Sequence, residues 1–64
     1  MTPRQEKFCI EYLIDLNATQ AAIRAGYSKK TAKSLGQRLL TYVDVKSRIK
    51  ELQDKVFEAG MMPE

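Results

Sequence analysis

The stretch NATQAAIRAGYSKKTAKSLG, residues 17–36, decides the fold. Asn17 with Gln20 three residues later marks a helix start, and Ala18, Ala21, Ala22, Ile23 and Ala25 predict a short, closely packing helix that stops at Gly26. Gly26 is where the chain can turn left-handed at low cost. Tyr27 supplies an apolar anchor after the turn, and Ser28 can cap a following helix. A helix-turn-helix needs a small residue where its helices nearly touch and a glycine in the turn. Ala22 and Gly26 stand at that spacing, and Ala32 and Leu35 sit where the second helix must face the first.

The second helix of the motif is expected over about Lys29 to Thr41, with Ser28 to Thr41 acting as the recognition segment. Ala32, Leu35, Leu39 and Leu40 share one side, while Lys30, Lys33, Ser34, Gln37, Arg38 and Thr41 share the other. Gly36 inside a helix costs about 1 kcal/mol relative to alanine. Close approach to the chain's first helix is the expected compensation.

Outward from the motif, Thr2, Pro3 and Gln5 form a capping-box start, predicting a first helix from about Pro3 to Leu16. Its apolar arc of Phe8, Cys9, Tyr12, Leu13 and Leu16, widened by Ile10 and Ile14, is too broad for one neighbour. It is expected to face the next two helices on one side and the fourth helix, or another subunit, on the other. Asp44 is the expected cap of that fourth helix, which runs to about Ala59 and ends at Gly60; Val45, Ile49, Leu52 and Val56 give it a narrow stripe like a coiled-coil seam. Met61, Met62, Pro63 and Glu64 resemble a frayed end. The expected fold is all-α, a compact domain of about four helices. Residues 1–44 are expected to form a helix-turn-helix domain suited to DNA, and residues 45–64 a further helix.

With 64 residues the chain holds one small domain of marginal stability. One cysteine, Cys9, and no histidine leave too few parts for a disulfide, a metal site or a nucleophilic triad. Cys9 is expected to be a buried structural thiol. Neither Gly26 nor Gly36 leads into a phosphate-loop Lys-Ser or Lys-Thr, so neither cofactor nor metal is expected. No run approaches the length of an apolar membrane span and the first residues lack the basic-then-apolar order of a signal peptide, so a cytoplasmic protein is expected. The net charge of +3 is modest, but its distribution is uneven. No acid lies between Leu16 and Val43, the stretch that holds Arg24, Lys29, Lys30, Lys33 and Arg38, as expected of a polyanion binder.

In a major groove, Lys30 and Lys33 can donate to guanine acceptors, Gln37 can pair with adenine in two-point fashion, and Ser34 can donate or accept. Lys29, Arg38 and Arg24 are placed for phosphates, as are backbone N–H groups near Thr19 and Ser28. Singly, each of these could be no more than a solvated surface residue. As a set they lack the acids that a solvated helix mixes with its bases.

Several strings carry a family resemblance: Thr2-Pro3-Arg4-Gln5-Glu6-Lys7-Phe8, Glu11-Tyr12-Leu13, Asn17-Ala18-Thr19-Gln20-Ala21-Ala22, Arg24-Ala25-Gly26-Tyr27-Ser28 and Arg38-Leu39-Leu40. Over about residues 2 to 52 the chain resembles the N-terminal DNA-binding domain of small terminase subunits from tailed bacteriophages and prophages. The resemblance implies recognition of the packaging initiation (pac) site on double-stranded viral DNA, in the cytoplasm of an infected or lysogenic bacterium. It implies a non-catalytic subunit, the ATPase and nuclease residing on the large terminase subunit. That subunit is expected to be contacted through regions absent from this chain, which include the oligomerisation region of a homo-oligomeric ring toward which the helix of residues 45–64 would lead, so the segment alone is expected to be monomeric. Where many relatives carry Asn-Pro shortly before the valine matching Val45, this chain has Tyr42-Val43, leaving Asp44 as the cap. Alternatives to this function are a helix-turn-helix transcriptional regulator, or a helical assembly module whose basic patch meets an acidic protein surface.

Overall fold

A computed structural model describes residues 1–60, with side chains described for residues 1–55. Four helices follow one another: α1 (Pro3–Asp15), α2 (Ala18–Arg24), α3 (Lys29–Leu39) and α4 (Val43–Gly60). There is no strand among the described residues. The side chain of Val56 and the expected frayed end at residues 61–64 lie outside the described part.

Each of the first three helices starts on the cap its sequence offers. Thr2 Oγ1 accepts from the Gln5 N–H and Gln5 Oε1 accepts from the Thr2 N–H, both at 3.1 Å, which completes the capping box. Asn17 Oδ1 accepts from the Gln20 N–H at 3.1 Å, and Ser28 Oγ accepts from the Lys30 N–H at 3.2 Å. Asn17 needs an extended backbone to cap α2, so α1 stops short of Leu16, which takes a left-handed conformation (φ 55°). Leu16 was expected inside the helix and on its apolar arc; instead it caps the end and is 61% exposed.

The turn between α2 and α3 is a Schellman motif. The Tyr27 N–H donates to the Ala22 carbonyl and the Gly26 N–H to the Ile23 carbonyl, both at 3.0 Å, with Gly26 left-handed at φ 107°. Alanines then let the helices close up: Ala18, Ala21, Ala22, Ala25 and Ala32 are all buried. Gly36 does not meet α1, as expected from the sequence, but the first residue of α2. A β-carbon there would lie 2.7 Å from the Ala18 carbonyl oxygen and 2.9 Å from its carbon.

The rest of the core is Phe8, Cys9, Leu39 and Val45, with Phe8 stacked on Tyr12 at 5.9 Å between ring centroids. α1 and α4 pack antiparallel: Glu6 meets Arg48, and Cys9, a turn later, donates its thiol to the Val45 carbonyl at 3.7 Å. Burial raises the Cys9 pKa and so suppresses its thiolate, as suits a structural thiol. Val45 is buried, and Ile49 and Leu52 pack against the same core, so this part of the α4 stripe is used within the domain. Two expectations change. Asp44 lies in the first turn of α4 instead of capping it. Ile10 and Ile14, expected to widen the buried arc, point to solvent, at 46% and 70% exposure.

Gly36→Ala should therefore reverse the usual helix-propensity effect. Propensity alone gives a gain of about 1 kcal/mol, whereas forcing a methyl against the Ala18 backbone should cost about 1–3 kcal/mol. Chemical denaturation measures the difference, and a stabilised variant would show that α2 and α3 do not approach this closely.

Candidate nucleic-acid interface

α3 has two faces. Ala32, Gly36 and Leu39 are buried against the domain, with Leu35 half-buried beside them. Since an α-helix advances about 100° per residue, Lys30, Ser34 and Gln37 occupy the middle of the opposite face, with Lys33 and Arg38 at its two sides. All five are exposed, as is Lys29 in the first turn. Thr31, Ser34, Leu35 and Arg38 line a shallow groove along this surface.

Seven of the eight candidate residues thus belong to α3 or its cap. Ser28 holds the start of the helix through its oxygen, and its hydroxyl hydrogen remains available to donate. The helix ends two residues before the expected Thr41, whose hydroxyl donates to the Arg38 carbonyl at 2.6 Å.

Arg24, expected at a phosphate, is paired within the domain with acids of α1. Its Nε donates to Glu11 Oε1 at 2.7 Å, one terminal nitrogen donates to the Glu11 carbonyl at 3.1 Å and to Asp15 Oδ1 at 3.2 Å, and the other reaches Asp15 Oδ2 at 3.4 Å. This clamp ties α2 to α1. Arg48 makes the matching clamp from α4, donating from Nε to both Glu6 oxygens at 2.9 and 3.0 Å and from a terminal nitrogen to Oε2 at 2.8 Å. All three acids of α1 are therefore taken up by these two arginines. None of the ion pairs among the described residues involves Lys29, Lys30, Lys33 or Arg38.

One basic residue near this surface has no periodic signal in the sequence. The Arg4 guanidinium lies over the Tyr27 ring, 5.4 Å from its centroid, beside the turn that leads into α3. Arg4 and Tyr27 are far apart in sequence, so only the packing of α1 against the motif brings them together.

Comparison with known proteins matches residues 1–62 to the family model described as terminase small subunit. The chain is 46% identical over 63 residues to the terminase small subunit of Staphylococcus phage 80alpha, covering 97% of this chain and 43% of that protein. It is 45% identical over 60 residues to the terminase small subunit of Bacillus phage SF6, covering 86% of this chain and 41% of the relative. The PBSX phage terminase small subunit of Bacillus subtilis is 39% identical over 56 residues, covering 88% of this chain and 21% of its own length. The chain thus spans less than half of each of these relatives. No solved structure matches.

The two clamps set the acid response of the domain. Hydrogen bonds from Arg24 hold the Asp15 carboxyl below its ordinary pKa, and those from Arg48 do the same for Glu6. A carboxyl whose folded pKa is depressed contributes stability in full above its unfolded pKa and loses it as pH falls through the folded value. The melting temperature should therefore fall on acidification from about pH 5 downward. The double variant Glu6→Gln, Asp15→Asn should melt lower at neutral pH and show a flatter profile below it. Parallel profiles for the two proteins would refute this role for the clamps.

Proposed function

The chain belongs to the terminase small subunit family, and from that premise we propose that it is a DNA-binding module which seats α3 in the major groove and takes part in recognising the pac site. The family is in general the non-catalytic partner of its complex. The observation that carries the reading is the outward face of α3. Lys30, Ser34 and Gln37 lie at its centre, Lys33 and Arg38 flank it, and no acid occurs anywhere on the helix.

In a helix-turn-helix the early residues of the second helix face base edges while the first helix crosses the backbone. Lys30, Lys33, Ser34 and Gln37 take the base-facing positions, and Lys29, Arg38 and the donors around Ser28 take phosphates. Arg24 is assigned to the clamp between α1 and α2 and not to DNA. Ring assembly and contact with the large terminase subunit are assigned to the remaining length of the family's proteins, and the site of action to the cytoplasm of an infected or lysogenic bacterium. A transcriptional regulator could present the same face; family membership favours packaging.

Titration of labelled duplex DNA with the chain across a salt series tests the proposal. With about four phosphates neutralised, log affinity should fall with log salt at a slope near −3.6. Lys33→Ala or Gln37→Ala should change sequence preference by about 1–3 kcal/mol, while Arg24→Ala should leave the slope unchanged at temperatures where the variant is folded. Indifference to DNA at low salt would overturn the proposal in favour of an assembly module. Chemical-shift changes confined to α4, with α3 silent, would do the same.

A further inference from the structure

We infer that Arg4 is an additional phosphate contact, presented from α1 by the ring of Tyr27 and lying outside the helix-turn-helix itself. The inference rests on the DNA-binding reading above. Tyr27 directly precedes Ser28, the N-cap of α3, so the guanidinium over its ring stands at the end of α3 that carries Lys29 and Lys30. The turn lies close to it on a second side: a β-carbon built on Gly26 would lie 3.5 Å from Arg4 Nε. Thr2, Pro3, Arg4, Gln5 and Tyr27 line a shallow concavity open to solvent.

The chemistry of this placement differs from that of the other two arginines with described partners. Arg24 and Arg48 have carboxylates within 2.7 to 3.4 Å. Among the described residues Arg4 has no carboxylate at ion-pair distance and no hydrogen-bond acceptor. An aromatic face attracts the cation without occupying its N–H donors, so the side chain is held while its planar fork stays free. That fork matches two oxygens of one phosphate. When the first turns of α3 face base edges, a cation beside the turn that precedes them stands against the backbone wall of the groove. Arg4 would then fix the register of the domain on the duplex without reading sequence.

The test is a salt-dependent anisotropy titration of duplex DNA with the wild-type chain and the variants Arg4→Ala, Arg4→Lys and Lys33→Ala, beside a thermal melt of each. Arg4→Ala should weaken binding to all duplex sequences alike and make the salt slope shallower by about 0.9, the value for one phosphate. Its sequence preference should stay that of the wild type, and Arg4→Lys should restore the slope. If Lys33→Ala weakens binding while Arg4→Ala keeps the wild-type slope, the role of Arg4 is overturned and the DNA-binding reading stands. A lowered melting temperature with an unchanged slope assigns Arg4 to stability alone and likewise overturns it. If the wild type itself does not bind, the DNA-binding reading fails and takes this inference with it.

Discussion

Where α2 meets α3, the backbone of Ala18 lies so near Gly36 that a methyl group would not fit between them. This contact sets the placement of α3, because a seven-residue helix such as α2 has little surface to hold a partner by other means. The Schellman turn at Gly26 fixes one end of the helix pair and the Gly36 contact fixes a point further along α3. Alanines between them remove any bulk that would push the helices apart. With that side of α3 fully used, its lysines, Ser34, Gln37 and Arg38 have only solvent to face. The exposed surface therefore follows from packing on the opposite side of the same helix.

α1 governs the charge of that surface without contributing to its central face. Its acids Glu6, Glu11 and Asp15 are each bound by an arginine arriving from another helix. These clamps are exposed enough that salt and solvent weaken them, so their main effect is on distribution. Three of the eight acids of the chain become local partners and are removed as competitors for the cations of α3. A net charge of +3 then understates the field over one side of the molecule. The same hub explains how so small a core suffices. α1 packs against both α2 and α4, and its Phe8 and Cys9 share one buried cluster with the alanines of α2 and Val45 of α4, so that few large side chains serve two interfaces.

Features set by near neighbours in sequence were legible from sequence. The capping box at Thr2, the Asn17 and Ser28 caps, the left-handed Gly26 and the two faces of α3 each depend on residues within one or two turns of each other. What was not legible depends on which distant segments meet. A glycine inside a helix announces a close approach but not its partner, so Gly36 was matched to the wrong helix. A run of cations without nearby acids in sequence looks unopposed, yet Arg24 finds Glu11 and Asp15 across a helix boundary. Ile10 and Ile14 satisfy the same periodicity as the buried residues of α1 and still point outward, because hydrophobic pattern records a tendency to be covered and not the direction of the neighbour. Nothing in the pattern of α1 ties Arg4 to Tyr27, and only the fold brings the two together.

On the proposed reading, the chemistry of the α3 face limits what one copy can do. Lysines are point charges with freely rotating donors, and they hold phosphates more readily than they distinguish bases. Gln37 is the side chain with a planar two-point match to a base, and Ser34 pairs with several bases. Counting Lys33 beside Gln37, two discriminating contacts of about 1–3 kcal/mol each give about 2–6 kcal/mol, against the roughly 4–10 kcal/mol that separates specific from non-specific binding in dedicated DNA readers. A single domain therefore lies at or below the lower part of that range, whichever bases it meets. Joining copies at fixed spacing raises discrimination without any new side chain, because each added domain must find its own short site in register. The recognised feature is then a spacing of short sites, set by how the domains are held together, and the α3 face supplies one reading head of that larger arrangement.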